Sequence, residues 1–194
     1  MKPSFGRVPA YPLSPFGSVA HLGPHAMTVG DAALMLQVIK QPDARDWTAL
    51  PPDPSDYTVG LQDGLRGLRV AYSPTLGYAR HVDPEIAAAL DGVAHILQDL
   101  GAIVEAVDPG FEDPLEITTG LWFAGAWQVW RALTAQQQAV ADPDFKAQAL
   151  LGEGLGVDAL HELTQRRGLL GSHMRQFMTR YDLLLTPSVA VPAF

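Results

Sequence analysis

The first residues with a spacing that could support chemistry are His21 and His25, which stand four positions apart. On a helix, this spacing places two imidazoles on one face, an arrangement typical of metal ligands. Gly23 and Pro24 lie between them, and a proline removes the helical hydrogen bond that the arrangement needs. No nearby carboxylate completes a site. We therefore expect two loop histidines and no metal site, with metal binding as the minor alternative.

Nucleophilic catalysis needs an activated side chain, and the patterns typical of one are missing. No serine lies in a Gly-x-Ser-x-Gly turn, which exposes the nucleophile of many hydrolases. The chain has no cysteine, which excludes a cysteine nucleophile, thiolate metal sites and disulfides. Lys2 and Ser4 are close in sequence, but a lysine base requires burial and a relay. From these residues alone we predict no catalytic centre.

A weak nucleotide-binding pattern occurs at residues 154–159, which read GLGVDA and match the Gly/Ala form of the dinucleotide fingerprint. That fingerprint requires a strand directly before it. The preceding residues, FKAQALLGE, favour a helix instead. We therefore expect a turn between two helices here, and no cofactor.

A cluster of aromatic residues offers a candidate binding surface. The uncharged stretch ITTGLWFAGAWQVW, between Glu116 and Arg131, is shorter than the roughly 20 residues that span a bilayer. It predicts a buried or pocket-lining helix. Two interpretations remain open, namely core packing and an aromatic wall for an apolar ligand. The residues concerned are Trp122, Phe123, Trp127 and Trp130.

The composition excludes several classes of partner. The chain has 194 residues and a formal net charge of −8, without a lysine-rich run. Binding to nucleic acid or to an anionic membrane requires clustered positive charge, so we expect neither. The N-terminus lacks the apolar region of a secretion signal. We expect a cytoplasmic protein whose residues 1–194 form a single domain.

The sequence predicts a helix that begins at residue 28, after the first proline-rich segment. Thr28 and Asp31 form a capping box with aspartate in place of glutamate. Apolar residues occupy both faces, which predicts a buried helix. One face carries Ala32, Ala33, Leu36 and Ile39, and the other carries Leu34, Met35 and Val38.

The central region predicts a βαβ unit. Residues 68–73 and 102–108 read as strands, and residues 83–101 read as a helix between them. Asp83 is the predicted N-cap, Pro84 the first helical residue and Gly101 the stop. Apolar residues recur at helical spacing at Ile86, Leu90, Val93, Leu97 and Leu100. This unit indicates an α/β fold with two parallel strands.

The remaining segments are predicted from the same kinds of pattern. We expect a helix over about 114–140, a helical stretch over 143–181 that is interrupted at 152–156, and a strand within 182–192. Residues 1–27 and 42–66 are rich in proline, and we expect loops there with at most short strands.

Four segments, in this order, resemble the amidase signature enzymes. The specific ones are KPSFGRVP, at residues 2–9, and YDLLLTPSVAVPAF, at residues 181–194. The other two are HLGPHAMTVGDAALMLQVI and the βαβ unit. The likeness covers nearly the whole chain. It implies an α/β fold in which helices surround a mixed sheet.

The resemblance also implies an activity, the hydrolysis of carboxamide C–N bonds through an acyl-enzyme. In that family a lysine and two serines are catalytic, and a glycine-rich loop forms the oxyanion hole. All of these lie N-terminal to the KPSFGRVP segment, and this chain has no counterpart of them. We therefore expect a single partial domain, the middle-to-C-terminal portion of the fold without its N-terminal catalytic part and without its C-terminal end, and we expect no catalytic residue and no activity alone. The family-motif residues with an expected structural role are Arg7, Pro24, Thr28, Asp31 and Pro187.

Two other functions stay open beside this one. The chain could be a catalytically dead binding or regulatory module, or a piece of the related tRNA-linked amidotransferase, whose family-related subunit uses glutamine. The expected small-molecule partner is a carboxamide, bound only by the intact enzyme. Because a partial fold exposes apolar surface, we also expect self-association or a partner chain that covers it.

Overall fold

The computed structural model of the protein describes residues 1–193, which divide into two compact units. The first unit comprises Met1–Gln62 and Ile117–Leu163, and the second comprises Asp63–Glu116 and the residues from Thr164 onward. The helices are α1 (Val29–Ile39), α2 (Pro84–Asp99), α3 (Leu115–Ala132), α4 (Ala135–Ala139), α5 (Pro143–Glu153) and α6 (Val157–Phe177). The strands are β1 (Arg69–Tyr72), β2 (Ile103–Ala106) and β3 (Leu183–Leu185).

The second unit contains a parallel sheet in the order β2-β1-β3. Strand β1, helix α2 and strand β2 form the βαβ unit that the sequence predicts, so the α/β class is confirmed. Asp83 caps α2 by accepting a hydrogen bond from the backbone of Glu85, and Pro84 is its first residue. Beyond the helix, Gly101 has φ +91°, a left-handed conformation that favours glycine. The three described strands are all parallel to one another.

The middle of the central strand is buried because apolar side chains pack against it. Val70 and Ala71 of β1 have no exposed surface. Ala71 packs with Phe177 and Tyr181. These last two residues come from the C-terminal end of α6 and the turn that follows it. The core of the second unit is therefore centred on β1.

In the first unit, α1 begins as predicted but is not buried on all sides. The Thr28 hydroxyl accepts a hydrogen bond from the backbone N–H of Asp31, which caps the helix. Leu34 and Val38 are 58% and 66% exposed, whereas Leu36 is 2% exposed. The prediction of a helix buried all round is wrong for the described residues, because they cover only one of its faces.

Two other predicted elements differ from the observed ones. The helix expected over 114–140 is split into α3 and α4, because Thr134 and Gln137 form a capping box that starts a new helix. The expected strand within 182–192 is only three residues long, Leu183–Leu185. The interruption of the helical stretch lies between α5 and α6, as predicted.

The proline-rich segments are loops, as the sequence predicts. Residues 1–27 contain one short 3₁₀ helix, Gly17–Val19, and residues 42–66 contain no helix or strand. Within residues 1–193, no helix combines the length and the apolar character that a membrane crossing requires.

Candidate functional site

A cavity of about 390 Å³ lies in the first unit. Its walls come from two loop stretches, one within residues 4–22 and one within residues 46–48. This volume is in the range typical of small-molecule sites. The apolar lining includes Phe5, Val8, Leu13, Leu22 and Trp47, and the polar lining includes Ser4, Ser14, His21, Asp46 and Thr48.

Backbone contacts across the cavity hold its two loop stretches together. Gly6 has φ +77°, and a Cβ there would lie 2.5 Å from the carbonyl oxygen of Thr48, so only glycine fits. The Gly6 carbonyl accepts a hydrogen bond from the N–H of Leu50 at 2.8 Å. The Arg7 guanidinium donates to the carbonyl of Pro51 at 3.1 Å. Contacts with residues 48–51 thus fix the conformation of the KPSFGRVP segment.

Asp46 is the charged side chain that connects the two stretches. It is 5% exposed, and one carboxylate oxygen accepts the N–H of Ala10 at 2.8 Å. The other oxygen accepts the N–H and the hydroxyl of Thr48, at 2.8 and 2.6 Å. The Thr48 hydroxyl, followed by the Ala10 N–H, holds the pKa of Asp46 below its ordinary value. Asp46 is therefore an ionised residue with a structural role, and both of its carboxylate oxygens already accept hydrogen bonds from the protein.

His21 and Ser14 complete the polar lining through contacts within the N-terminal loop. The His21 ring lies edge-on to Phe5, with 5.8 Å between centroids, and its Nδ1 lies 3.3 Å from the carbonyl oxygen of Val19. The Ser14 hydroxyl accepts the N–H of Phe16 at 3.2 Å. These contacts orient the cavity wall. An apolar cavity with a few fixed polar groups is suited to binding a small, largely apolar ligand.

The four aromatic residues singled out from the sequence lie on α3, and the structure gives them different environments. Trp130 is buried against Ala126 and Ala149, with the partly buried Trp127 packed on the same cluster. Helix α5 approaches α3 closely at Gly152. A Cβ on Gly152 would overlap the carbonyl oxygen of Phe123 in α3. This part of α3 therefore packs in the core of the first unit.

Trp122 is the exception, because it is 43% exposed and stacks on Phe16 with 4.4 Å between ring centroids. Phe16 also packs onto Gly125, because a Cβ added to Gly125 would lie 2.8 Å from the Cα of Phe16. The neighbours of Phe16 in sequence, Ser14 and Gly17, line the cavity. Helix α3 thus supports the cavity wall through Phe16, and none of the four aromatic residues is part of the cavity lining itself.

The remaining family-motif residues occupy defined positions. Pro24 is fully buried, and its carbonyl accepts a hydrogen bond from the nitrogen of Met1 at 2.8 Å. Thr28 and Asp31 form the N-terminal cap of α1. Pro187 lies in the second unit, where it lines a smaller cavity of about 170 Å³.

Three polar residues of structural importance were not found from the sequence. Asp46 is one, and its only local signal is the Asp-x-Thr turn with Thr48. The others are Ser73, which is fully buried, and Asp108, whose carboxylate accepts the Ser73 hydroxyl at 2.5 Å. Ser73 directly follows β1, and Asp108 lies two residues after the end of β2. Because the carboxyl ends of parallel strands meet at one edge of a sheet, the predicted βαβ unit could have paired them.

No group of three or more potential metal ligands occurs among the described residues. His21 lines the cavity, whereas His25 is exposed and is not part of its lining. The structure therefore does not bring this histidine pair together at the cavity.

Comparison with known proteins connects this chain to one family. A model of the Amidase family matches residues 1–194. The chain is 32% identical to an acylamidase from Rhodococcus erythropolis, over 100% of this chain and 41% of that protein. It is also 32% identical to a glutamyl-tRNA(Gln) amidotransferase subunit from a Synechococcus strain, over 100% of this chain and 45% of that protein.

A solved structure agrees with these matches. A bacterial aryl acylamidase of the amidase signature family superposes with a TM-score of 0.80 and 25% identity. That match covers 98% of this chain and 41% of the solved chain. The chain thus spans about two fifths of the length of the relatives it matches. The resemblance carried by KPSFGRVP and YDLLLTPSVAVPAF is confirmed, and the chain belongs to the amidase family.

Proposed function

We propose that this chain is the portion of an amidase that binds the substrate and supports the active site, in an enzyme that hydrolyses carboxamide C–N bonds. The catalytic lysine and serines that the family uses would come from the part of the fold outside these 194 residues. The sequence predicts that only the intact enzyme binds a carboxamide, but because every lining residue of the cavity belongs to this chain, the proposal is that the chain alone binds a carboxamide without cleaving it. The proposed setting is the cytoplasm, with no nucleic acid or membrane as partner.

The observation that carries this proposal is that two separate family-motif segments line the same cavity. Phe5 and Val8 come from KPSFGRVP, and His21 and Leu22 open the HLGPHAM segment. Segments that mark a hydrolase family and that meet around one cavity of about 390 Å³ are best explained by a shared ligand.

The lining favours a neutral ligand over an anionic one. The ionised carboxylate of Asp46 lies at the wall, and its oxygens are already held by hydrogen bonds. In a cavity lined mostly by apolar side chains, a second negative charge would be repelled and poorly hydrated. A carboxamide with an apolar acyl group fits this environment, whereas the carboxylate produced by its hydrolysis does not.

The aromatic segment of α3 has a supporting role in this proposal. Trp122, the exposed member, would support the pocket wall from outside, since it contacts Phe16 beside the cavity. Phe123, Trp127 and Trp130 would hold that wall in position.

A second candidate function is that of a glutamine-dependent amidotransferase component, and the identity to the Synechococcus protein favours it. The two candidates differ in the ligand they require, because glutamine carries charged amino and carboxylate groups. A third possibility is a catalytically dead binding module, which would associate with a partner and bind neither amide.

Calorimetric titration of the purified chain with benzamide, benzoate and glutamine tests these alternatives. We expect benzamide to bind and the other two to bind at least tenfold more weakly. Ala20→Phe, which fills the cavity, should abolish benzamide binding. Ala44→Phe is the matched control, since Ala44 is exposed on the same unit and lies outside the cavity lining.

Thermal unfolding and circular dichroism of both variants check that they remain folded. If Ala20→Phe does not fold, Leu22→Trp narrows the same cavity from a more exposed position. Glutamine binding in place of benzamide would favour the amidotransferase candidate. Equal benzamide binding by Ala20→Phe and Ala44→Phe, or no amide binding at all, would refute the proposed site. Ammonia release by the chain alone would refute the proposal that the catalytic residues lie outside these 194 residues.

A further inference from the structure

Helix α1 has apolar residues around its whole circumference, yet the described residues cover only one side. Ala33 and Leu36 are buried, at 7% and 2% exposure. Leu34, Met35 and Val38 are 58%, 45% and 66% exposed. We call these three residues the outer face of α1. At about 100° per residue, Leu34 and Val38 point away from Leu36.

The outer face differs from the scattered apolar residues found on most protein surfaces. Leu34 and Val38 are separated by four positions and Met35 lies beside them, so the three form one stripe. The flanking residues Gln37 and Gln41 are uncharged. Asp31, one turn before the stripe, is the only charged residue within Val29–Ile39, and Lys40, which follows the helix, is buried. A surface helix would be expected to carry charged residues here, and a helix that is apolar all round is typical of a buried position.

The comparisons indicate what would cover this face. The solved acylamidase shares this fold over 98% of the present chain, but that match uses only 41% of its own length. The larger part of that solved chain therefore lies outside the region equivalent to this chain. Three side chains on one helix are too few for a stable homodimer, which needs about 800 Å² on each partner. A covering segment of the same fold can make further contacts elsewhere.

We propose that the outer face of α1 is a docking surface for the part of the amidase fold that these 194 residues do not include. This inference rests on the proposed function, since it assumes that the binding portion works together with a catalytic portion. The covering surface is uncharged and apolar, and it receives Leu34 and Val38 as its main contacts. In the assembled protein α1 is a central buried helix.

Co-expression tests this proposal directly. The probe is the part of the Rhodococcus erythropolis acylamidase that lies outside its match to this chain, produced together with the tagged chain. The double variant Leu34→Gln/Val38→Gln should reduce the recovered complex at least tenfold. Val140→Gln is the matched control, because Val140 is an 83% exposed valine of the same unit, outside α1. Both variants should unfold at nearly the wild-type temperature when produced alone, since the replaced side chains face solvent.

A single-chain chimera, in which this chain replaces its counterpart in the acylamidase, provides a second measurement. There the double variant should lower Tm clearly more than it does in the isolated chain. Equal effects of the double variant and Val140→Gln, or no association in either format, would overturn the proposal. Self-association of the chain that the double variant abolishes would assign the face to a second copy and also overturn it. A complex that forms but releases no ammonia from carboxamides would leave the docking surface standing and refute the proposed function instead.

Discussion

The two units reach a defined structure by different means. In the second unit, β1 pairs in parallel with β2 and β3, and the repeating hydrogen bonds and apolar spacing fix the arrangement. In the first unit, the cavity is built from loops that single contacts hold in place. Asp46 accepts a bond from Ala10, 36 residues away, and Leu50 donates to Gly6. Periodic patterns therefore organise the sheet, whereas individual polar groups and close approaches organise the cavity.

The two units should differ in how well they tolerate single substitutions. A strand or an amphipathic helix distributes its stability over many similar contacts. A loop that depends on one buried carboxylate or one glycine can lose its conformation through one change. We therefore expect the largest effects in the first unit and smaller ones around the sheet.

The largest expected effect is at Gly152, where two helices of the first unit, α3 and α5, also depend on one close approach. A Cβ there would overlap the carbonyl oxygen of Phe123 and lie 3.0 Å from Cβ of Trp127, so the two helices would be forced apart. Gly152→Ala should cost about 3 kcal/mol, which corresponds to a decrease in Tm of about 10 °C for a chain of this size. Differential scanning calorimetry measures the change.

Gly154, two residues later, provides the control for this substitution. It has φ −84°, and a Cβ there would meet no atom within 4 Å. Gly154→Ala should change stability by no more than about 0.5 kcal/mol. If Gly152→Ala is insoluble, Gly125→Ala tests the same principle, because its Cβ would lie 2.5 Å from the Phe16 ring. Similar Tm values for the Gly152 and Gly154 variants would show that α3 and α5 do not approach as closely as described.

An intermediate effect is expected at Asp46. Asn has one acceptor oxygen instead of two, so Asp46→Asn must lose the bond from Ala10 or those from Thr48. We expect Tm to fall by about 5 °C. The matched control is Asp43→Asn, which removes an ion pair with Arg45 on an exposed surface and should have little effect.

The stability that Asp46 contributes should depend on pH. Because hydrogen bonding lowers the pKa of Asp46 in the folded state, its contribution to stability is present above the unfolded pKa of about 3.9. That contribution is lost as the pH falls through the lower folded value. The difference in Tm between wild type and Asp46→Asn should therefore shrink below about pH 4. A difference that is constant with pH would mean that the charge of Asp46 is unimportant.

Much of the fold could be predicted from the sequence, and the errors have physical causes. The βαβ unit was predicted because Asp83 and Pro84 give a clear helix start. The boundary at Thr134 was missed because apolar periodicity continues across it, although Thr134 and Gln137 match the capping-box pattern. The burial of α1 was misjudged because residues 1–193 lack a covering partner for Leu34 and Val38.

The site was less accessible to sequence reasoning than the fold. For the aromatic residues of α3 the sequence left core packing and a pocket wall both open; Trp130 packs in the core, and Trp122 contacts Phe16 beside the cavity. Phe5 was noted only within a motif segment, and His21 only there and as half of a histidine pair, since no local pattern shows that these two residues converge. Asp46 lies in a proline- and aspartate-rich loop, where one buried carboxylate looks the same as its exposed neighbours.

The smallest expected effect concerns a polar contact in the second unit, between β1 and α2. The Tyr72 hydroxyl donates to the Asp91 carboxylate, and burial, followed by this bond, raises the pKa of Tyr72 to about 12. Above pH 10 the unfolded phenol ionises while the folded one stays neutral, so this contribution to stability is lost as the pH rises toward 12. Asp91→Asn should lower the pKa only part of the way toward 10, because burial is the larger cause. Carbon-13 NMR of ring-labelled tyrosine measures it, and a value near 10 in both proteins would show that this contact is absent in solution.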